Sequence, residues 1–203
     1  LDVGNHAPGV AAADRDTEAG RARVYALLAT LLVRPPDAAL LARLEGLAAD
    51  GTTLGEALAA LGEAASAAEA EGVEREFHDL FIGIARGELL PYASYYLTGF
   101  LHERPLARLR GDLAALGIER AQGVAEPEDH IATLCEVMAG LIEGGLGAGA
   151  EQDRRFFERH LRPWVERFFA DLEQAQAARF YRAVGRLGRV FIGIETEAFA
   201  LPA

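Results

Sequence analysis

EPEDHIATLCEVMAGLI, Glu126 to Ile142, is the stretch whose reading decides the fold. From Ile131 onward its apolar residues Ile131, Leu134, Cys135, Met138, Leu141 and Ile142 recur at three- and four-residue steps, which places them along one face of a helix. The five residues in front of them, Glu126 to His130, read as the first turn of that helix. Pro127 lacks an N–H where none is needed, and Glu126, Glu128 and Asp129 stand where the positive end of the helix dipole favours anions. On such a helix Glu126 and His130 share a side, Asp129 turns away from the apolar face, and a carboxylate beside the imidazole is expected to raise its pKa.

The same period governs the segments on either side. Val24, Leu27, Leu28, Leu31 and Leu32 define a first helix starting near Thr17 and ended by Pro35 and Pro36. A second helix is expected from Asp37 to about Ala48, and Thr53 with Glu56 and Ser66 with Glu69 read as capping boxes that open two more. The Ser66 helix should run through Phe77, Leu80 and Phe81 to Gly83, followed by an irregular connection carrying Pro91, Tyr92, Tyr95 and Tyr96. A helix over Pro105 to Leu116 ends at Gly117, and residues 118–126 are a candidate hinge. After the glycines from Gly144 to Gly149, Phe157 to Leu172 resumes the helical stripe, with Pro163 kinking or dividing it. Phe180, Val184, Leu187, Phe191 and Ile194 make the last long stripe, in which Gly185 and Gly188 leave room for close packing.

About half of the 203 residues are apolar, with Ala and Leu dominant and no alternating segment, so the expected fold is all-α, a single helical domain over residues 17–203 behind a flexible extension of residues 1–16. The net charge of −11 argues against a nucleic-acid partner and makes basic peptides the natural complement. A lone cysteine, Cys135, excludes an internal disulfide, reads as a buried small hydrophobe, and suggests a reducing compartment. No apolar run approaches the roughly 20 residues needed to span a bilayer.

The chemistry on offer is limited. Ser94 and Cys135 are the candidate nucleophiles for His130, and neither sits in a nucleophile motif. No Glu-x-x-His pair occurs and no phosphate-binding glycine loop is present, so no metal or nucleotide cofactor is expected. His78, His102 and His160 read as structural or surface residues. The cluster Tyr92, Tyr95 and Tyr96 combines apolar faces with hydroxyls, as interaction surfaces and core covers both do.

Three motifs, EFHDLFIG (Glu76 to Gly83), PYASYY (Pro91 to Tyr96) and EPEDHI (Glu126 to Ile131), in this order and at these separations, resemble the TorD/DmsD family of cytoplasmic chaperones for exported molybdoenzymes. HLRPW and FYRAVGRLGRVF in the C-terminal part are also similar to that family. The resemblance implies an all-helical, non-catalytic protein that binds a twin-arginine signal peptide and the catalytic subunit of a molybdoenzyme until the cofactor is inserted, with a monomer favoured over a helix-exchanged dimer. It assigns peptide binding to Glu126, Pro127, Asp129 and His130, and the apolar wall of the pocket to Phe77, Leu80, Phe81, Pro91, Tyr92, Ser94 and Tyr95. Where many relatives carry a tyrosine this chain has Phe77, which removes a hydroxyl. A small hydrolase built on Asp129 and His130, and a helical scaffold without a peptide pocket, stand as alternatives.

Overall fold

Glycine and proline set the limits of helices whose stripes meet in one core. A computed structural model describes residues 8–120, 126–144 and 151–201. Ten α-helices account for most of them: α1 Pro8–Val33, α2 Ala38–Leu44, α3 Thr53–Ser66, α4 Ala70–Phe77, α5 Ala93–Thr98, α6 Arg104–Ala115, α7 Ile131–Ile142, α8 Gln152–Phe156, α9 Val165–Gln174 and α10 Phe180–Ala200. Single π-helical turns, His78–Ile82 and Phe157–Leu161, extend α4 and α8. No strand forms among the described residues, so the all-α expectation holds.

α1 lies along α7, and α10 lies along α9 and α3. The buried side chains are those of the periodic stripes: Leu28, Leu31 and Leu32 on α1, Ile131, Leu134, Cys135 and Met138 on α7, Phe168, Phe169 and Leu172 on α9, and Val184, Leu187 and Phe191 on α10. Ile194, expected on the last stripe, is instead 41% exposed, because the 3.6-residue period carries it off the buried arc and sets Glu195 there. Close approach of α9 and α10 depends on two glycines. A Cβ at Gly185 would lie 2.5 Å from the Glu173 nitrogen, and one at Gly188 would meet the Phe169 ring at 2.2 Å.

Two buried acids tie distant parts of the chain together. Glu195, 1% exposed, receives Arg21 through both Nε (2.7 Å) and Nη2 (2.8 Å) and the Tyr25 hydroxyl at 3.1 Å, while Arg21 also reaches Asp153 at 3.1 Å. Glu76 accepts the backbone N–H groups of Arg179 (2.8 Å), Phe180 (3.1 Å) and Tyr181 (2.7 Å), capping α10 from 103 residues away. Satisfying orphan amides at a helix start with a carboxylate is favourable both as hydrogen bonding and as charge against the helix dipole.

Several expected boundaries move. α1 begins at Pro8, upstream of Thr17. The residue capping α3 is Thr52, whose side chain accepts the Gly55 N–H at 2.9 Å. Ser66 closes α3 rather than opening α4, which starts after Glu69 without a side-chain cap. Tyr95 and Tyr96 lie on α5 and not in an irregular connection. Pro163 divides α8 and its π turn from α9. Of the candidate hinge, residues 121–125 lie outside the described residues, as do residues 145–150 of the glycine-rich stretch.

Candidate functional site

The segment Glu126 to His130 is a turn that ends at the helix, and not the first turn of the helix itself. The Pro127 carbonyl accepts the His130 N–H at 3.1 Å, and α7 begins at Ile131 with His130 in extended conformation (φ −65°, ψ 138°) as its N-cap. His130 Nδ1 accepts the Ala132 N–H at 3.1 Å, which takes over one of the orphan donors of α7. Extended geometry at this position follows from a partner far away in sequence. Tyr92 and His130 form a single antiparallel β-bridge, closed by Ala93 N–H to the Asp129 carbonyl (3.0 Å) and Ile131 N–H to the Pro91 carbonyl (2.9 Å).

The bridge reverses the expected orientation of Asp129. Its side chain is 1% exposed rather than turned outward, and its Oδ2 accepts the Ser94 N–H at 2.8 Å, in the first turn of α5. Asp129 thus caps α5 while His130 caps α7. The imidazole also departs from expectation. Glu126 does not pair with it but accepts the Tyr92 hydroxyl, and burial pushes the His130 pKa down to about 4. A neutral ring is what the cap requires, since Nδ1 must offer a lone pair. The Tyr92 and His130 rings meet edge to face at 5.2 Å.

The acidic residues of the turn are separately engaged. Glu128 faces Arg110 of α6 at 2.9 Å; burial opposes its ionisation, but the Arg110 hydrogen bond, a backbone hydrogen bond and the charges of Arg110 and Arg120 together hold its carboxyl below the usual range. Burial raises the pKa of Glu126, the one exposed member of the cluster. Of the eleven residues assigned to the site, Pro91, Tyr92, Ser94, Glu126, Pro127, Asp129 and His130 are brought into one unit. Tyr95 lies further along α5 under the guanidinium of Arg86, 4.9 Å from the ring centroid. Phe77 and Leu80 are buried in the core and Phe81 is half-buried; the rings of Phe77 and Phe81 pack on Tyr181 of α10, so these three support the fold behind the bridge.

Next to the bridge is a small cavity of about 80 Å³, too small for a nucleotide. Ala93 and Leu97 of α5, Pro105, Arg108 and Leu109 of α6, and Asp129 and His160 contribute its walls. Asp129 Oδ1 and Ser94 Oγ are buried and have no hydrogen-bond partner among the described residues. Leu97, Phe100 and Leu101, at and after the end of α5, are exposed apolar side chains. A larger cavity, about 690 Å³, lies elsewhere, between α4 and the start of α10 around Glu76. The surrounding residues Arg108, Asp112, Arg159 and His160 have no sequence signal of their own; only the resemblance of HLRPW pointed toward His160.

A family model described as nitrate reductase delta subunit matches residues 47–170. The chain belongs to that family. Among similar curated proteins, a chaperone protein TorD of Vibrio cholerae is 32% identical over 126 residues, covering 58% of this chain and 57% of that protein. The chain thus spans little more than half the length of that relative. A chaperone protein TorD of Shewanella loihica is 26% identical over 204 residues, covering 88% of this chain and 92% of the relative. A crystal structure of a candidate redox enzyme maturation protein from Archaeoglobus fulgidus superposes with a TM-score of 0.56 at 20% identity, over 85% of this chain and 93% of that one, and shares the fold. The resemblance of the three motifs to the TorD family is therefore borne out.

Proposed function

We propose that the protein is a cytoplasmic redox enzyme maturation chaperone that holds the twin-arginine signal peptide and the immature catalytic subunit of an exported molybdoenzyme until its cofactor has been inserted. The observation that carries the reading is the convergence of two family motifs in one bridged unit, Pro91–Ser94 against Glu126–His130, beside exposed Leu97, Phe100 and Leu101. A leader with two arginines and an apolar stretch is complemented by carboxylates next to apolar side chains on a chain of net charge −11. Family membership and the TorD relatives support the same reading.

A hydrolase finds no support in this geometry. His130 Nδ1 is engaged by a backbone amide, Asp129 bonds the Ser94 N–H instead of the imidazole, and Ser94 Oγ contacts neither as a hydrogen-bond partner. The condition that would favour a pocketless scaffold, Asp129 and His130 exposed and remote from the aromatic segment, is not met.

Titration calorimetry with twin-arginine leader peptides tests the proposal. Binding is expected to weaken when the arginine pair is changed to glutamine, to weaken with rising salt, and to weaken in Glu126→Gln. A chain that binds no leader, or that binds arginine and glutamine forms equally, does not have this function.

A further inference from the structure

The carboxylate that the sequence offers as a ligand group lies beneath a helix. Asp129 spends Oδ2 on the Ser94 N–H, leaving Oδ1 and the neighbouring Ser94 Oγ as two buried acceptors that no group of the chain satisfies among the described residues. Such orphans are rare in folded proteins, and Asp129 lines the small cavity that α6 walls on one side through Pro105, Arg108 and Leu109.

Helix α6, Arg104–Ala115, is joined to its surroundings by one apolar face and a few polar contacts. It buries a single stripe, Leu106, Leu109 and Leu113. Among the described residues it is also held by the hydrogen bond between His160 Nε2 and Asp112 at 2.7 Å and by the ion pairs of Arg159 with Asp112 at 3.1 Å and of Arg110 with Glu128 at 2.9 Å. Left-handed residues flank it at both ends, Gly99 (φ 83°) and His102 (φ 62°) before it and Gly117 (φ 72°) after it. A histidine at positive φ stores strain that a change of backbone path would release. The turn between α5 and α6 also presents Phe100, 70% exposed, and Leu101 to water.

We propose that α6 is a latched lid over Asp129, and that when it swings away the uncovered carboxylate oxygen receives a hydrogen-bond-donating cationic head group, a guanidinium, from the bound peptide. The choice of occupant rests on the functional reading above; the lid does not. Arg108, on α6 and lining the closed cavity, opposes entry of a second cation and departs with the helix, while Arg159 on the opposite wall is directed at Asp112. Peptide affinity is then reduced in proportion to the fraction of molecules with the lid closed.

Amide hydrogen exchange on the free full chain tests the lid. Asp112→Asn, which weakens the latch, is expected to accelerate exchange across residues 104–115 by about tenfold or more while α7 and α10 keep their protection. Arg159→Gln, breaking the latch from the other side, gives the same local effect. No acceleration, or acceleration spread evenly through α7 and α10, overturns the lid. Calorimetry tests the occupant: Asp112→Asn should bind a twin-arginine leader about fivefold more tightly than the parent chain, and adding Asp129→Asn should abolish that gain. An opened lid with no gain in affinity overturns the guanidinium site alone, whereas failure of parent and variants to bind any leader overturns the functional reading and the occupant with it, leaving the lid to the exchange result.

Discussion

Replacing Glu76 by alanine strips the start of α10 of its cap, and the size of the effect follows from the three bonds lost. Backbone amides of Arg179, Phe180 and Tyr181 approach the carboxylate at 2.8, 3.1 and 2.7 Å. Loss of an ordinary N-cap costs about 0.5–2 kcal/mol, and a hydrogen bond to a charged group is worth about 1.5–3 kcal/mol. The three bonds do not add in full, because Glu76 borders the 690 Å³ cavity and water can reach amides that the carboxylate abandons. A net destabilisation of about 3 kcal/mol is expected, which for a chain of this length lowers Tm by roughly 6–12 °C. Glu76→Gln keeps an acceptor oxygen but gives up the charge facing the helix dipole, so it should lose about half as much. Urea denaturation with circular dichroism measures both, and exchange at residues 179–183 should rise first. A Glu76→Ala loss below about 1 kcal/mol would refute the argument that this acid is a structural cap.

Three further substitutions probe the site and the helix pair. Burial holds the His130 pKa at about 4 against an ordinary value of 6.5, so between those values the unfolded chain binds a proton that the folded chain refuses. Stability therefore falls as pH drops from about 6.5 to about 4, by roughly 3 kcal/mol for this group. His130→Asn, which can still cap α7, should flatten that part of the pH profile of urea unfolding; an unchanged profile means His130 is not its source. On α10, Gly185→Ala places a methyl 2.5 Å from the Glu173 backbone and should cost about 1–3 kcal/mol, whereas Gly193→Ala meets nothing within 4 Å and should gain up to about 1 kcal/mol in helix propensity. Equal Tm shifts in the two variants would contradict the packing described for α9 and α10.

What could be read in the sequence is what depends on neighbours in sequence. The stripes of α1, α7 and α10 repeat every 3.6 residues, and Gly185 and Gly188 stand out on their helix because a close partner is the usual reason to place glycine there. EPEDH was misleading for the same reason. Proline and acids in front of an apolar run suit a helix's first turn as well as a turn that ends on its cap, and the choice is made by Tyr92 pairing with His130. Burial of Asp129, Glu76 and Glu195 has no local signature, since the groups that neutralise them, the Ser94 amide, the start of α10 and Arg21, lie 35, 103 and 174 residues away. Two of the motifs thus meet in one bridged unit, while the orientation of each residue depends on contacts that no window of sequence contains.

The buried carboxylates also bear on how the chain can be cut. The family match runs from residue 47 to residue 170, yet α1 and α10, which cover α7, α9 and α3, fall outside it. An excised piece with those limits would leave the apolar faces of α7 and α9 in water and would take Glu76 without the amides it binds, so it should behave as an aggregation-prone fragment and not as a miniature of the protein. The recognisable middle of this sequence is accordingly a signature of kinship, while the unit that folds is set by the two long helices at its ends.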